Sequence, residues 1–143
     1  IFEKIQNKYQ FKTETLRGID IYPVGDVWLE MNKGVAEMRA LKKQIKAIKE
    51  KINNGIAKEK DTIELQKAKD GLNETKQIWT DSLKLSMSYE RKNREIFESA
   101  GKLDTYDYLT SENKEINCYK KLEKLCNKNN GELPEFVWEE LLG

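Results

Sequence analysis

The amino-acid sequence predicts a mainly α-helical fold: a long, coiled-coil-like antiparallel helical hairpin with a short N-terminal β-hairpin and a small C-terminal helical head. Apolar residues recur at helical spacing across residues 33–100, and Asn53-Asn54-Gly55 interrupts them once, as a turn between two helices would. Charged residues make up 36% of the chain and hydrophobic residues 38%, a balance typical of helices that bury one stripe and expose the rest. We therefore expect a β-hairpin at 1–25, a helical hairpin at 26–100, and helices at 101–143 that pack on the base of the hairpin.

The N-terminal segment has the periodicity of strands. From Tyr9 to Thr15, aromatic and β-branched residues alternate with polar ones. Arg17-Gly18 is typical of a turn, and residues 19–22 form a second short strand that ends at Pro23. Because two strands alone are marginally stable in water, we expect them to lie on the helices or to pair with a partner's strand.

Residues 24–31 allow two interpretations. Asp26 could cap a helix that begins there. Alternatively, Val27-Trp28-Leu29 is a third strand and Asn32 caps the helix. Gly34 weakens the earlier start by about 1 kcal/mol relative to alanine.

The two long helices are expected to differ in length. In the first, seven apolar residues follow a spacing close to the coiled-coil repeat: Met31, Val35, Met38, Leu41, Ile45, Ile48 and Ile52. The second starts near Asp61 or slightly before, runs to Ala100 and has a less apolar stripe. It spans about 40 residues and is therefore about 60 Å long, against about 30–40 Å for the first. Past Leu85 the second helix must be covered by C-terminal elements or a partner, or it must break near its serines, Ser82, Ser86 and Ser88.

The C-terminal segment is expected to supply that cover. Residues 103–109 suit a short helix or turn, and Thr110 or Ser111 could cap a helix that runs to about Asn127. Pro134 suits the first turn of a strongly apolar final helix that ends near Leu142. This packing would leave the Asn53–Gly55 tip pointing away from the head.

The best candidate binding surface lies on the first long helix. Residues 33–60 carry nine basic side chains and three acidic ones in a chain of net charge +1. Five of the basic residues form the candidate partner- or phosphate-binding set, of which Lys43 lies toward another side: Arg39, Lys42, Lys43, Lys46 and Lys49. The alternatives are a solvated flank, or pairing with acidic residues of the second helix such as Glu64, Asp70 and Glu74.

Trp138 is a further candidate partner-binding residue if its side chain is exposed. The alternative is that Trp28, Trp79 and Trp138 are anchors of the core.

Catalytic and metal sites are not expected. The chain has no histidine, so a Ser-His-Asp or Cys-His site within it is impossible, and no phosphate-binding glycine motif occurs. The acidic residues Asp104, Asp107, Glu112 and Glu115 fit no metal-binding loop and are better explained as helix-start residues. Likewise, Asp26, Glu30 and Lys33 have the wrong spacing for a nuclease site, and a surface Glu–Lys pair explains them better.

The cysteines and hydropathy favour a cytoplasmic protein without a membrane span. No apolar run reaches the roughly 18 residues that a transmembrane helix needs. On one helix, Cys118 and Cys126 would have Cα atoms about 12 Å apart, too far for a disulfide, so we expect two reduced thiols that act as small buried residues.

We expect a non-enzymatic protein–protein interaction module, of adaptor, accessory or inhibitor type, that needs no cofactor. It would bind another protein or a second copy of itself through the helical hairpin or the aromatic C-terminal helix. The alternative is a nucleic-acid-binding module that uses the basic face of the first helix. The abundance of lysine, asparagine and isoleucine suits a phage or bacterial protein, and the start at Ile1 suggests a fragment or a processed product.

Overall fold

The computed structural model describes residues 5–6, 11–111 and 113–143. In these ranges it contains a two-stranded antiparallel sheet and a long helical hairpin followed by three shorter helices, which confirms the predicted fold class. The elements in chain order are β1 (Glu14–Leu16), β2 (Ile19–Ile21), α1 (Val24–Asn53), α2 (Glu59–Ser99), α3 (Leu103–Thr110), α4 (Lys114–Lys128) and α5 (Glu135–Leu142).

The β-hairpin is shorter than its sequence period suggests. Arg17 and Gly18 form its two-residue turn with positive φ angles of 53° and 79°, the backbone geometry that matches the twist of paired strands. The first strand begins only at Glu14, so the prediction that residues 11–13 extend it is wrong, and Tyr9 lies outside the described residues. The ladder stops after Ile21 because the next backbone N–H, that of Tyr22, donates to the side chain of Asn93 instead.

Helix α1 begins earlier than either interpretation of residues 24–31 allowed. Its N-cap is Pro23, and Asp26 lies in the first turn without capping it. The third strand is wrong because Val24, Val27 and Met31 are all buried at helical spacing, which a strand cannot achieve. Gly34 is accommodated because Trp79 packs against it, with Cδ1 only 3.4 Å from where a Cβ would lie.

The seam of the hairpin follows the predicted stripe. Met38 and Leu83 are fully buried and Ile48 is nearly so, while the indole N–H of Trp79 donates to the carbonyl of Met31. The first helix ends at the predicted turn, where Gly55 takes a φ of +70°.

Helix α2 starts at Glu59, slightly before Asp61 as expected, and Asp61 makes a capping interaction there. The carboxylate of Asp61 accepts a hydrogen bond from the backbone N–H of Lys58, at 2.9 Å. That bond is the main reason why the pKa of Asp61 is lowered.

Helix α2 continues unbroken through its serines. The hydroxyls of Ser82 and Ser86 donate to the carbonyls of Ile78 and Leu83, so these buried serines satisfy their polar groups within the helix. A break at this point, one of the three options from the sequence, is therefore wrong.

The far half of α2 is covered by the β-hairpin, α3 and α4. Tyr106 of α3 packs against Phe97 with ring centroids 5.2 Å apart, and Ile21 of β2 joins the same cluster. Arg91 forms a 2.8 Å ion pair with Glu123 of α4. Asn113, not Thr110 or Ser111, caps α4 by accepting from the N–H of Ile116.

Candidate functional site

Helix α5 lies against the middle of the hairpin and defines one of its faces. Its Trp138 packs edge to face on Trp79 of α2, with centroids 5.6 Å apart. At its other end, the guanidinium of Arg39 on α1 donates two hydrogen bonds to the carbonyl of Leu141, at 3.1 and 2.9 Å. We call the side of α1 and α2 on which α5 packs the front face.

Arg39 on α1 contacts α5, and Asn73 on α2 lines the cavity beside Trp138. Between these two residues and the turn, the hairpin continues through residues 40–53 of α1 and 59–72 of α2. We call this part the stalk. It extends for about 20 Å at a rise of about 1.5 Å per residue.

The predicted basic row continues along the front face of the stalk. Lys42, Lys46 and Lys49 follow Arg39 at helical steps of three and four, so they share its side of α1. All three are exposed, and within the described ranges none has an ion-pair partner within 4 Å. Lys43 is also exposed but lies one step around the helix, on the outer side.

The predicted pairing of this row with acidic residues of the second helix is not seen. Asp70 accepts instead from the side chain of Gln66 on its own helix, at 2.9 Å. Glu64 and Glu74 are exposed and take part in none of the ion pairs among the described residues. The positive charge of the row is therefore not neutralised within the described fold.

The opposite rim of the front face comes from α2. Asn73 and Lys76 line a cavity of about 220 Å³ beside Trp138, and the Lys76 ammonium lies 5.5 Å from the Trp138 ring centroid. Lys69 precedes Asn73 by one turn and extends this rim into the stalk. The floor between the rims is formed by half-buried apolar residues, among them Ile45 and Leu65.

Helix α5 shows what the front face accommodates. Its inner side buries Val137, Trp138 and Leu142, and its outer side carries exposed glutamates with no basic residue in the helix. The Arg39 guanidinium at its C-terminus stabilises the negative end of the helix dipole. The front face thus accommodates the apolar side of a helix whose solvent side is acidic.

Trp138 does not meet the condition that would make it a partner site. Its side chain is 7% exposed and belongs to the main core, together with Trp79. Arg39 is exposed but already committed to Leu141. Of the six residues selected from the sequence, the four lysines present unpaired charge, and three of those form a continuous row.

The tip of the stalk carries apolar side chains that the sequence analysis did not select. Ile52, Ile56 and Ile63 are 43%, 65% and 54% exposed. Ile52 belongs to the predicted seam, but it lies at the end of α1 where the seam has little left to pack against. Ile63 precedes the half-buried Leu65 by two residues, so it points away from the side of α2 that packs on α1. This spacing is visible in the sequence and could have identified Ile63 as exposed. Exposed apolar side chains thus lie at the end of the hairpin where the basic row ends.

Two of the carboxylates weighed for metal or catalytic chemistry form ion pairs, and Glu112 lies outside the described residues. Asp107 pairs with Arg94 at 2.8 Å, and Glu30 pairs with Lys33 at 3.1 Å as predicted. The described residues hold no group of three or more candidate metal ligands.

The two cysteines are free thiols in different surroundings. Cys126 is buried, and that burial raises the pKa of its thiol, which keeps it protonated and unreactive. Cys118 is exposed, so its predicted burial is wrong. It follows Asn117 on the outer side of α4, away from the core contacts of its neighbour Tyr119.

No helix in the described ranges combines the length and the apolar character that crossing a membrane requires. Compared with protein-family models, with curated proteins and with solved structures, the chain matches none.

Proposed function

We propose that this protein is a non-enzymatic interaction module that binds an acidic amphipathic helix of a partner protein along the front face of its stalk. The observation that carries the proposal is α5, a helix of that kind which occupies the same face at the head end and stops where the unpaired lysines begin. A partner helix would continue the line of α5 towards the tip. Acidic residues at the edge of its apolar side would meet Lys42, Lys46 and Lys49, and the apolar side would cover Ile45 and Leu65.

Charge and apolar contact would make different contributions to binding. Exposed lysines speed up the encounter and orient an acidic partner, and they lose strength as salt screens them. The half-buried floor and the isoleucines at the tip supply apolar area, the usual source of affinity at an interface core. Both cysteines are free thiols and one of them is exposed. Because thiols stay reduced in the cytoplasm, this favours the cytoplasm as the place where the module acts.

A peptide with the sequence of residues 131–143 of this chain, acetylated and fluorescently labelled, is the probe for the test. We expect fluorescence anisotropy to show binding to the intact protein, weakened when NaCl is raised from about 50 mM to about 500 mM. The triple variant Lys42→Glu, Lys46→Glu, Lys49→Glu should bind at least about tenfold more weakly, since like charges now face each other.

The matched control reverses three exposed lysines of α4: Lys114→Glu, Lys121→Glu and Lys128→Glu. This variant has the same change in net charge on another surface, so it should keep the affinity of the original protein within about twofold. Equal losses in the two triple variants would mean that net charge, not the front face, governs binding. No binding of the peptide at about 1 mM would refute the proposed partner class.

Nucleic acid is the second candidate, and the unpaired lysine row is the observation that favours it. Against it, the sequence has no aromatic residue between Trp28 and Trp79, so the stalk has no ring on which a base could stack. A labelled 20-nucleotide single strand, tested under the same salt conditions, separates the two candidates. Tight, steeply salt-dependent binding of the oligonucleotide without binding of the peptide would favour nucleic acid.

The partner helix could also be α5 of a second copy of this chain. Light scattering of the purified protein decides this case, because exchange of α5 between copies gives a dimer. A strict monomer at high concentration would leave a different protein as the partner.

A further inference from the structure

A second candidate site lies in the head, by which we mean the part of the molecule outside the stalk. There the β-hairpin, the first turns of α1, the C-terminal part of α2, helix α3 and the start of α4 enclose a half-open cavity of about 280 Å³. An engineered apolar cavity of about 150 Å³ is enough to bind benzene. The head cavity therefore has room for one ring and a short substituent chain.

Much of the wall is apolar. Leu16 and Val24 line one part, Leu109 and Ile116 another, and the ring of Tyr106 contributes an aromatic surface. Val24, Tyr106 and Ile116 are buried, so the positions of these side chains are fixed by core packing. Such a wall suits the body of a small apolar ligand.

The charged groups in the wall are both carboxylates. Glu90 is 4% exposed, and one of its oxygens lies 3.4 Å from the hydroxyl of Tyr106 and 3.5 Å from the ammonium of Lys120. Glu14 forms none of the ion pairs among the described residues, and its carboxylate lies over Gly25 in the first turn of α1, 3.7 Å from where a Cβ would be. Burial and the nearby charge of Asp26 both raise the pKa of Glu14. A cation in the cavity would relieve this unfavourable environment.

The wall also includes the indole of Trp28. The same ring packs on Tyr119 of α4, with centroids 5.7 Å apart, which holds the indole in place. Its Nε1 is fully buried and has no hydrogen-bond partner among the described residues, so the ring contributes an aromatic surface to the cavity and not a donor.

We propose that the head cavity binds a small aromatic amine: its ammonium faces Glu14 and Glu90, and its ring lies between Leu109 and Ile116, beside the indole of Trp28. This site is independent of the front face. Loss of peptide binding at the stalk would not affect it, and the reverse also holds.

Tyramine is the probe, because it carries an ammonium, one ring and a phenolic oxygen. Its titration is followed by the indole N–H resonances of the three tryptophans in ¹H–¹⁵N spectra, with Trp28 assigned from the Trp28→Phe variant. We expect the Trp28 resonance to shift with a dissociation constant below about 10 mM. Tyrosol, which replaces the amine with a hydroxyl, should bind about tenfold more weakly, because it cannot form a charge-assisted hydrogen bond.

Two variants and a control locate the site. Glu14→Gln should weaken tyramine about tenfold and remove its advantage over tyrosol, and Leu109→Trp should abolish the binding of both by filling the cavity. Glu132→Gln, at the cavity beside Trp138, should change nothing. No shift of the Trp28 resonance at about 10 mM tyramine would overturn the proposal, as would equal binding of tyramine and tyrosol or unchanged affinity in Glu14→Gln.

Discussion

Attachment of the β-hairpin to α2 is expected to depend on Asn93 more than on any other polar residue. Its side-chain oxygen accepts from the backbone N–H of Tyr22 at 2.8 Å, and its amide donates to the carbonyl of Tyr22 at 3.1 Å. Asn93 is only 2% exposed, so water cannot replace it in these bonds. The pair of bonds fixes the chain where β2 ends and α1 is about to begin.

The substitution Asn93→Leu keeps the approximate size of the side chain and removes both bonds. The carbonyl of Tyr22 retains one donor, the N–H of Val24 at 2.9 Å, but the Tyr22 N–H is left without an acceptor. An unsatisfied buried donor costs about 1–3 kcal/mol, and we expect the free energy of unfolding to fall by that amount. The midpoint of thermal unfolding should fall by about 3–12 °C for a chain of this size.

Urea unfolding followed by far-UV circular dichroism measures this loss. The denaturant midpoint should fall while the slope stays constant, because the folded and unfolded states expose nearly the same surface as before. Asn117→Leu, an exposed asparagine on α4, is the control and should stay within about 0.5 kcal/mol of the original protein. An Asn93→Leu protein that is equally unchanged would refute the argument that these two bonds hold the hairpin.

Three further changes can be checked by the same unfolding measurement. Gly71→Ala should raise the free energy of unfolding by about 0.5–1 kcal/mol, because alanine favours the helix. Its new Cβ would lie 3.6 Å from Leu41, an ordinary contact, so a loss of stability would show that the two helices are closer than described. Met38→Ala should cost about 2–5 kcal/mol by leaving a cavity in the seam, and a cost below about 1 kcal/mol would contradict the burial of Met38. Burial, followed by the charge of Glu115, raises the pKa of Tyr119 to about 12 from the model-compound value of 10.0. The stability that Tyr119 contributes is therefore complete below about pH 10 and lost as the pH rises through about 12. Tyr119→Phe should lack this loss, and parallel pH profiles of the two proteins would contradict it.

The hairpin could be predicted from the sequence because its signals are local. The spacing of Met38, Leu41 and Ile48 needs only one helix to be recognised, and the Asn53–Gly55 turn is encoded in consecutive residues. The burial of Met38 and Ile48 then follows once the second helix folds back.

The start of α1 could not be predicted because it depends on residues far away in the chain. No side chain caps this helix, and its first turn is held by the burial of Val24 and Val27 in the core. The preceding backbone is anchored by Asn93, separated from Tyr22 by 71 positions. A local search for a capping residue finds Asp26, which is within reach in sequence but has no capping role.

The candidate sites were predictable in part for the same reason. The lysine row lies on one helix, so its periodicity identified it, whereas its relation to α5 depends on the Arg39–Leu141 contact across 102 positions. The head cavity is assembled from two strands and four helices, none of which carries a recognisable motif. The place of the Trp28 indole in its wall becomes visible only when the neighbours of Trp28 are known.

The position of the tryptophans determines what each spectroscopic signal can report. Trp28 and Trp79 both pack on Tyr119, and Trp138 packs on Trp79, so every indole lies in the head. Intrinsic fluorescence therefore follows the head alone, while far-UV circular dichroism also follows the helical turns of the stalk. If the stalk frays before the head melts, the ellipticity changes at a lower denaturant concentration than the fluorescence. The difference between the two curves thus measures the cooperativity between the stalk and the head without any added label.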